Sequence, residues 1–194
     1  MRKLFALCTL LAITAIPTSA SAITGLYYGK VQGGANFFKG SNYYGTDFLL
    51  GPVGGIAVGY NFYGNILGEV EMSMRRNSAK SRNIDPVTGD NLGGNVVQTY
   101  CWMGNLYYEP NLCWIIKPFI GAGLGYEQID RGPRDNPLAT QKALRNGFAY
   151  QGMAGFYYGL CDARTDIGVE YRYHRYVGDH FYSNSVMLSF RQYL

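Results

Sequence analysis

A run of alternating glycines is the first candidate for chemistry in this chain. The segment Phe119–Tyr126 reads FIGAGLGY, and glycines in such a loop could hold a phosphate. A dinucleotide-binding loop, however, requires the spacing G-x-G-x-x-G and a helix directly after it. Here the third glycine comes one residue early, and the residues that follow, YEQIDRGPRDNP, contain prolines and no helical apolar period. The glycines therefore predict a backbone role and not a nucleotide site.

A nucleophile with a base is the second candidate, in the segment Asp179–Ser185 (DHFYSNS). His180 and Ser183 are three residues apart, so an extended strand places them on opposite faces, whereas a looped backbone could bring them together. A nucleophilic serine also needs a third group that orients its histidine, and the sequence identifies none. The other histidine, His174, lies on the polar face of the predicted strand 165–175, which is expected to face inward. We therefore expect no catalytic residues, no metal site and no cofactor.

The N-terminal residues have the three parts of a secretory signal peptide. Arg2 and Lys3 are followed by the apolar stretch Leu4–Ile16 and by the small residues Ala20-Ser21-Ala22. The apolar stretch is too short to span a bilayer. We expect residues 1–22 to be cleaved and residues 23–194 to form the exported domain. Without Arg2 and Lys3 the net charge falls from +4 to about +2, which is too balanced to indicate a nucleic-acid partner.

The elements that must position these residues are predicted to be eight strands. Apolar and polar or small residues alternate in each of them, and a strand sends successive side chains to opposite faces. In the fifth strand, Ile120, Leu124 and Tyr126 form an apolar face that suits lipid. If the strands close into a membrane barrel, the glycines face its crowded lumen and leave room for long side chains from across the barrel. The predicted strands are 26–37, 53–62, 66–75, 97–108, 117–127, 147–159, 165–175 and 185–194.

The connections between these strands alternate in length. Those at 63–65, 109–114 and 160–164 are short, and those at 38–51, 76–94, 128–145 and 176–184 are longer and polar. Outward aromatic residues fall near both strand ends, as in the interfacial girdles of membrane barrels. This pattern predicts an all-β, eight-stranded antiparallel transmembrane up-and-down barrel with short periplasmic turns and longer external loops.

Four strand phrases carry a resemblance to a known group. The segments Gly54–Asn65, Lys117–Tyr126, Ala149–Leu160 and Asp166–Tyr176 resemble strands of small bacterial outer-membrane barrels, which include the OmpA membrane domain, OmpX and the opacity-type surface antigens. The resemblance implies outer-membrane lipid and lipopolysaccharide as surroundings and the barrel-insertion machinery as a partner. Such chains usually end in an aromatic residue, whereas this one ends in Leu194, and Gln192 interrupts the preceding apolar alternation.

The inward faces carry ionisable residues of both signs in equal number. Because an eight-stranded barrel is only wide enough for its own side chains, these charges are expected to pair. One alternative is a narrow path for ions or protons. The other is acid–base catalysis by carboxylates such as those of Glu69 and Glu71. The predicted network consists of Lys30, Arg75, Lys117, Arg172 and Arg191 with Glu69, Glu71, Glu127, Asp166 and Glu170.

The cysteines of the exported domain are predicted to have different roles. Cys113 and Cys161 fall in predicted periplasmic turns, where a disulfide can persist. Two strands separate these turns, so a bridge forms only if the turns lean together. Cys101 points into the lumen and is expected to be a small packing residue.

The loops are where a partner would be recognised. Arg76, Lys80 and Arg82 give one loop a basic start, which either contacts lipopolysaccharide phosphates or keeps the loop solvated. We expect a non-enzymatic surface protein, structural or adhesin-like, whose loops meet a host or environmental ligand. The alternatives are a small ion or solute channel and, third, an outer-membrane lipid A-modifying enzyme.

Overall fold

Eight antiparallel strands close into one barrel in the computed structural model of the protein. The structure describes residues 26–39, 49–63, 65–78, 95–110, 116–133, 143–160, 164–177 and 182–194. Each strand pairs with the next in sequence, and β8 pairs with β1 to close the sheet, which confirms the predicted fold class. The strands are β1 (Tyr27–Lys39), β2 (Gly51–Tyr63), β3 (Ile66–Ser78), β4 (Asn95–Tyr108), β5 (Ile116–Pro133), β6 (Ala143–Gly159), β7 (Thr165–Tyr176) and β8 (Tyr182–Tyr193).

The two faces of the sheet differ in chemistry as the alternation requires. Apolar side chains in mid-strand, such as Val70 and Leu124, are 65% and 64% exposed. The residues that alternate with them, including Glu71 and Arg172, are completely buried. An apolar exterior around a charged interior is the inverse of a water-soluble fold and suits a barrel surrounded by lipid. Among the described residues, no helix is long and apolar enough to cross a membrane.

The start of β1 and the end of β8 lie at the end of the barrel that carries the short connections. Tyr28 pairs with Tyr193 at this end, and the connections 64–65, 109–115 and 160–164 lie there too. The opposite end carries the connections 40–50, 79–94, 134–142 and 177–181. The last of these is no longer than 160–164, because β7 and β8 stay paired up to Arg175 and Tyr182.

The predicted loop 128–145 is wrong over much of its length. Strands β5 and β6 remain paired as far as Arg131 and Ala143, so only residues 134–142 connect them. The segment is polar, which is why it indicated a loop. Beyond the apolar band of a barrel, however, the outer face of a strand meets water and needs no apolar residues. Ile129, on the inner face of this extension, is fully buried.

The alternating glycines of β5 make room for the neighbouring strand and not for side chains from across the barrel. A Cβ atom added to Gly121 would lie 2.6 Å from the ring of Tyr107, and one added to Gly123 would lie 2.0 Å from the side-chain oxygen of Asn105. Both contacts are with β4, which pairs with β5. The backbone role of these glycines is therefore close packing against β4.

Candidate functional site

The lumen is filled by layers of side chains, and the first layer lies at the periplasmic end. Arg191 on β8 contacts Asp166 Oδ2 through Nη2 at 2.6 Å and Glu109 Oε2 through Nη1 at 3.0 Å. Its guanidinium carbon lies 3.9 Å from the ring centre of Tyr157. Lys117 binds the other oxygen of Asp166 at 3.0 Å and keeps 34% of its side chain exposed. This layer occupies the centre of the lumen with a cation held between carboxylates and an aromatic ring.

The second layer is a network of buried charges in the middle of the barrel. Arg172 on β7 binds Glu71 on β3 and Glu170 on its own strand, and all three side chains are completely buried. Lys30 on β1 binds Glu69 at 2.8 Å. Buried ions are tolerated only when they are paired and hydrogen-bonded, and these pairs meet that requirement. The layer therefore holds its charges against each other across the lumen.

Polar side chains on neighbouring strands form hydrogen bonds with the carboxylates of this layer. Tyr107 donates its hydroxyl to Glu69 Oε1 at 3.2 Å, and Asn105 donates to Glu71 Oε2 at 3.0 Å. Gln151 donates to the side-chain oxygen of Asn105 at 2.7 Å. Each of these residues lies on an inner face and is buried. The amides and the phenol use the carboxylate oxygens that the ion pairs leave free.

A third group of side chains lies nearer the external end and has a different composition. His174 Nε2 on β7 is 2.9 Å from Glu127 Oε2 on β5 and 4.0 Å from Cys101 Sγ on β4. Arg75 on β3 places Nη1 2.9 Å from the same sulfur. All four side chains are buried. We call Cys101, Glu127 and His174 the Cys–Glu–His cluster.

Polar and apolar side chains follow toward the external mouth. Val97, Ile129 and Tyr176 form a buried apolar cluster with Phe38 packed against it. On the opposite wall, Asn36 donates to Asn77 at 2.6 Å and accepts from Ser185 at 2.8 Å. Side chains of the described inner faces therefore meet across the lumen at successive levels, from the Arg191 layer to the Tyr176 cluster.

Most of the site residues predicted from the sequence lie in the lumen, whereas the others are exposed or lie outside the described residues. The predicted network residues all lie on inner faces and are buried, except Lys117, which is half-buried at the periplasmic end. Arg76 is exposed on the outer face of β3. Cys113, Cys161, Lys80, Arg82 and His180 lie outside the described residues, so the structure bears on neither the disulfide nor the basic loop. Ser183 is buried opposite His174 on β8.

Sequence reasoning missed Glu109 and the Cys–Glu–His cluster. Glu109 follows β4 in a stretch that indicated a turn, yet its carboxylate faces the lumen and completes the pairing of Arg191. Its position continues the inward parity of Asn105 and Tyr107, and this was the signal available. Cys101 was expected to be packing alone because no sequence spacing connects it to residues on β5 and β7.

The Cys–Glu–His cluster does not have the geometry of a catalytic triad. In a triad the acid binds one imidazole nitrogen and the nucleophile binds the other. Here Glu127 and Cys101 both approach Nε2, while Nδ1 lies 3.4 Å from Gln151 Oε1. The thiol is also completely buried, with no described cleft for a substrate. The cluster therefore lacks the arrangement of acid, histidine and nucleophile that a triad requires.

A family model and a curated relative both show that this chain is similar to outer-membrane proteins. The family model described as outer membrane protein beta-barrel domain matches residues 5–191. A curated relative, the outer membrane protein PagN of Salmonella typhimurium, is 24% identical over 200 residues, which cover 89% of this chain and 83% of PagN.

Solved structures with low sequence identity share the fold. Neisserial surface protein A aligns with a TM-score of 0.65 at 14% identity, covering 90% of this chain and 99% of that one. The attachment invasion locus protein Ail of Yersinia pestis, solved with the heparin analogue sucrose octasulfate, aligns with a TM-score of 0.59 at 12% identity, covering 89% of this chain and all of Ail. At these identities the likeness extends to the barrel alone.

Proposed function

This chain belongs to the outer membrane protein β-barrel family, and we propose that it is a non-enzymatic surface protein whose external loops contact host cells, lipopolysaccharide or another environmental ligand. The protein is located in the bacterial outer membrane. The observation that carries the proposal is the filled lumen. Arg191, Arg172 and the apolar cluster around Tyr176 occupy successive levels of the barrel. With no described passage or cleft inside, recognition falls to the loops.

The basic start of the 79–94 connection is the part of the surface we propose for recognition. Arg76 ends the exposed face of β3, and Lys80 and Arg82 follow in the sequence. Guanidinium and ammonium groups bind phosphates and sulfates through charge-assisted hydrogen bonds. Ail, a barrel of the same fold, was solved with a sulfated sugar. A polyanionic glycan or the phosphates of lipopolysaccharide are therefore the ligand chemistries we propose.

Adherence of cells that display the protein tests this proposal. We expect bacteria expressing it to adhere to host cells, and a Lys80→Gln/Arg82→Gln variant to lose most of that adherence. The matched control is Arg134→Gln, which removes a cation from the connection 134–142. A soluble sulfated polysaccharide should compete with adherence of the wild type.

Three outcomes separate the ligands. Loss of adherence together with competition supports a sulfated host glycan. A second outcome is that the variant adheres like the wild type, but purified lipopolysaccharide no longer protects its loop in limited proteolysis. That outcome shows that the loop binds lipopolysaccharide of the outer leaflet instead. Equal adherence of both variants and of cells without the protein contradicts a recognition role for this loop.

A small channel is the second candidate, and one observation favours it. Charged and hydrogen-bonding groups lie in the lumen beside its apolar clusters, and several buried polar atoms, such as the hydroxyl of Ser73, have no hydrogen-bond partner in the described structure. Water in the lumen would satisfy such atoms. Conductance, treated in the Discussion at the scale of the whole molecule, distinguishes this function from the first.

A further inference from the structure

We propose that the Cys–Glu–His cluster is a binding site for a borderline-soft divalent metal ion of the zinc class, enclosed in the external half of the lumen. Cys101 Sγ, Glu127 Oε2 and His174 Nε2 each offer one ligand atom, and these atoms all lie within 4.8 Å of one another. The site is independent of the proposed loop function, because none of its residues reaches the cell surface.

The ligand types and the distances suit this class of ion. Zinc takes thiolate, imidazole and carboxylate ligands at roughly 2.0–2.3 Å, and a tetrahedral arrangement places pairs of donors roughly 3.3–3.7 Å apart. The separations here are 2.9 Å between His174 Nε2 and Glu127 Oε2 and 4.0 Å between His174 Nε2 and Cys101 Sγ. The first separation is shorter and the second longer than this range, so small side-chain adjustments would place all three donors around one ion. Mg²⁺ and Ca²⁺ prefer oxygen ligands alone, so the thiol selects against them.

The positions of the three ligands follow from the barrel register. Cys101 and Glu127 are direct partners across β4 and β5. His174 belongs to β7 and must reach over β6 to meet them. The register pairs His174 with Gln151 on β6 and pairs Glu127 with Gly147, and Ala149 lies between these two, completely buried beside Cys101 and Met103. The small residues Gly147 and Ala149 leave room for the imidazole to approach its two partners.

The surrounding groups orient the ligands. Gln151 donates to Asn105 through its amide nitrogen and therefore turns its oxygen toward His174 Nδ1, 3.4 Å away. With an ion bound at Nε2, Nδ1–H would donate to this oxygen, which is the arrangement typical of metal-binding histidines. Arg75 Nη1 donates to the sulfur at 2.9 Å and so fixes the position of the Cys101 side chain beside the other two ligands.

The charge of the cluster also favours a cation. Arg75 Nε and Nη2 have no hydrogen-bond partner among the described residues, although the side chain is buried. Metal binding requires a deprotonated thiol, and a Cys101 thiolate would give this guanidinium a counter-charge. With the ion bound, the negative charges of the thiolate and the Glu127 carboxylate would be balanced by the ion and by Arg75 together, beside a neutral imidazole.

Metal content after refolding tests the site. The filled lumen encloses the cluster, so the ion enters while the barrel closes. Unfolded full-length chain is refolded into detergent micelles with Co²⁺ alone or Zn²⁺ alone, separated from free ion, and analysed for metal. We expect about one ion per chain, with Co²⁺ giving the thiolate-to-metal charge-transfer absorption and the intense visible bands of tetrahedral coordination. Gln151→Leu should lower the affinity by about 10–100-fold.

Matched variants make the result specific. Cys101→Ser and His174→Gln should each abolish the bound ion, whereas Cys113→Ser/Cys161→Ser and His180→Gln should retain it. β-Sheet circular dichroism and protease resistance identify the samples that have folded. Folded wild type without stoichiometric metal would overturn the proposal. So would metal that persists in both Cys101→Ser and His174→Gln, because it would then be bound adventitiously elsewhere. A failure here leaves the loop proposal intact, since adherence is measured separately.

Discussion

At the scale of single residues, the middle layer of the lumen depends on the pairing of its buried charges. Arg172 is completely buried and binds both Glu71 and Glu170, which lie on different strands. A buried ion pair contributes little compared with apolar residues of the same volume, but a lone buried ion is very unfavourable. The network is therefore sensitive to loss of one partner and tolerant of simultaneous loss of both charges.

Replacing Arg172 by methionine should destabilise the barrel by about 3–5 kcal/mol, because two carboxylates would lose their common cation inside the lumen. Urea unfolding in detergent micelles, followed by tryptophan fluorescence, measures this. Arg175→Met is the control: it removes an arginine from the exposed face of the same strand. Adding Glu71→Gln and Glu170→Gln to Arg172→Met should recover most of the loss. Equal midpoints for Arg172→Met and Arg175→Met would show that the buried pairs are not needed.

At the scale of elements, glycines decide how closely neighbouring strands approach. Strand β6 has glycines on both faces. A Cβ atom at Gly155 would lie 2.1 Å from the carbonyl oxygen of Val169 on β7, whereas a Cβ atom at Gly152 would meet nothing within 4 Å. A side chain can be accommodated at the second position and not at the first, since the obstacle at the first is backbone. The glycines of the inner face are therefore required by the pairing of adjacent strands.

Gly155→Ala should destabilise the barrel by about 1–3 kcal/mol, because β6 and β7 must move apart to admit the methyl group. Gly152→Ala, three residues away on the same strand, should change stability by less than about 1 kcal/mol. The free energy of unfolding of both variants in the same detergent gives the comparison. If Gly152→Ala proved as costly as Gly155→Ala, steric contact with the backbone of β7 would not explain the loss at Gly155.

At the scale of the whole molecule, closure of the sheet brings residues from distant parts of the chain into a filled lumen. Arg191 meets Glu109, which lies 82 residues earlier, and Arg172 meets Glu71, which lies 101 residues earlier. The periplasmic and middle layers obstruct the axis one after the other. Among the described residues, side chains therefore meet across the lumen at two successive levels.

We expect the purified protein to give no stable conductance steps in a planar bilayer, because both layers must open before an ion can pass. Release of the protein from vesicles only by detergent, and not by urea, establishes that it is inserted. Arg191→Ala should also be silent, since the Arg172 layer is left intact. Reproducible steps in the wild type that change with Glu69→Gln or Arg172→Gln would make the protein a channel.

The alternation of residue types by itself determined much of this fold. Parity assigned Val70 and Leu124 to lipid and Glu71 and Arg172 to the lumen, because a strand turns every second side chain to the same face and lipid accepts only apolar ones. Parity is a local property, so it can be read without knowing which strands are neighbours. It failed at 128–133, where the strand leaves the lipid and its outer face no longer has to be apolar.

Only the tertiary structure decided which inward residues meet. The tilt and stagger of a closed barrel fix the level at which each strand faces the others, and no local pattern encodes that stagger. Closure therefore gave Arg191 its partner Glu109 and placed Cys101 beside Glu127 and His174, residues of three strands with no recognisable spacing between them. The sequence determined the inventory of the lumen, and the register of the closed sheet determined its contacts.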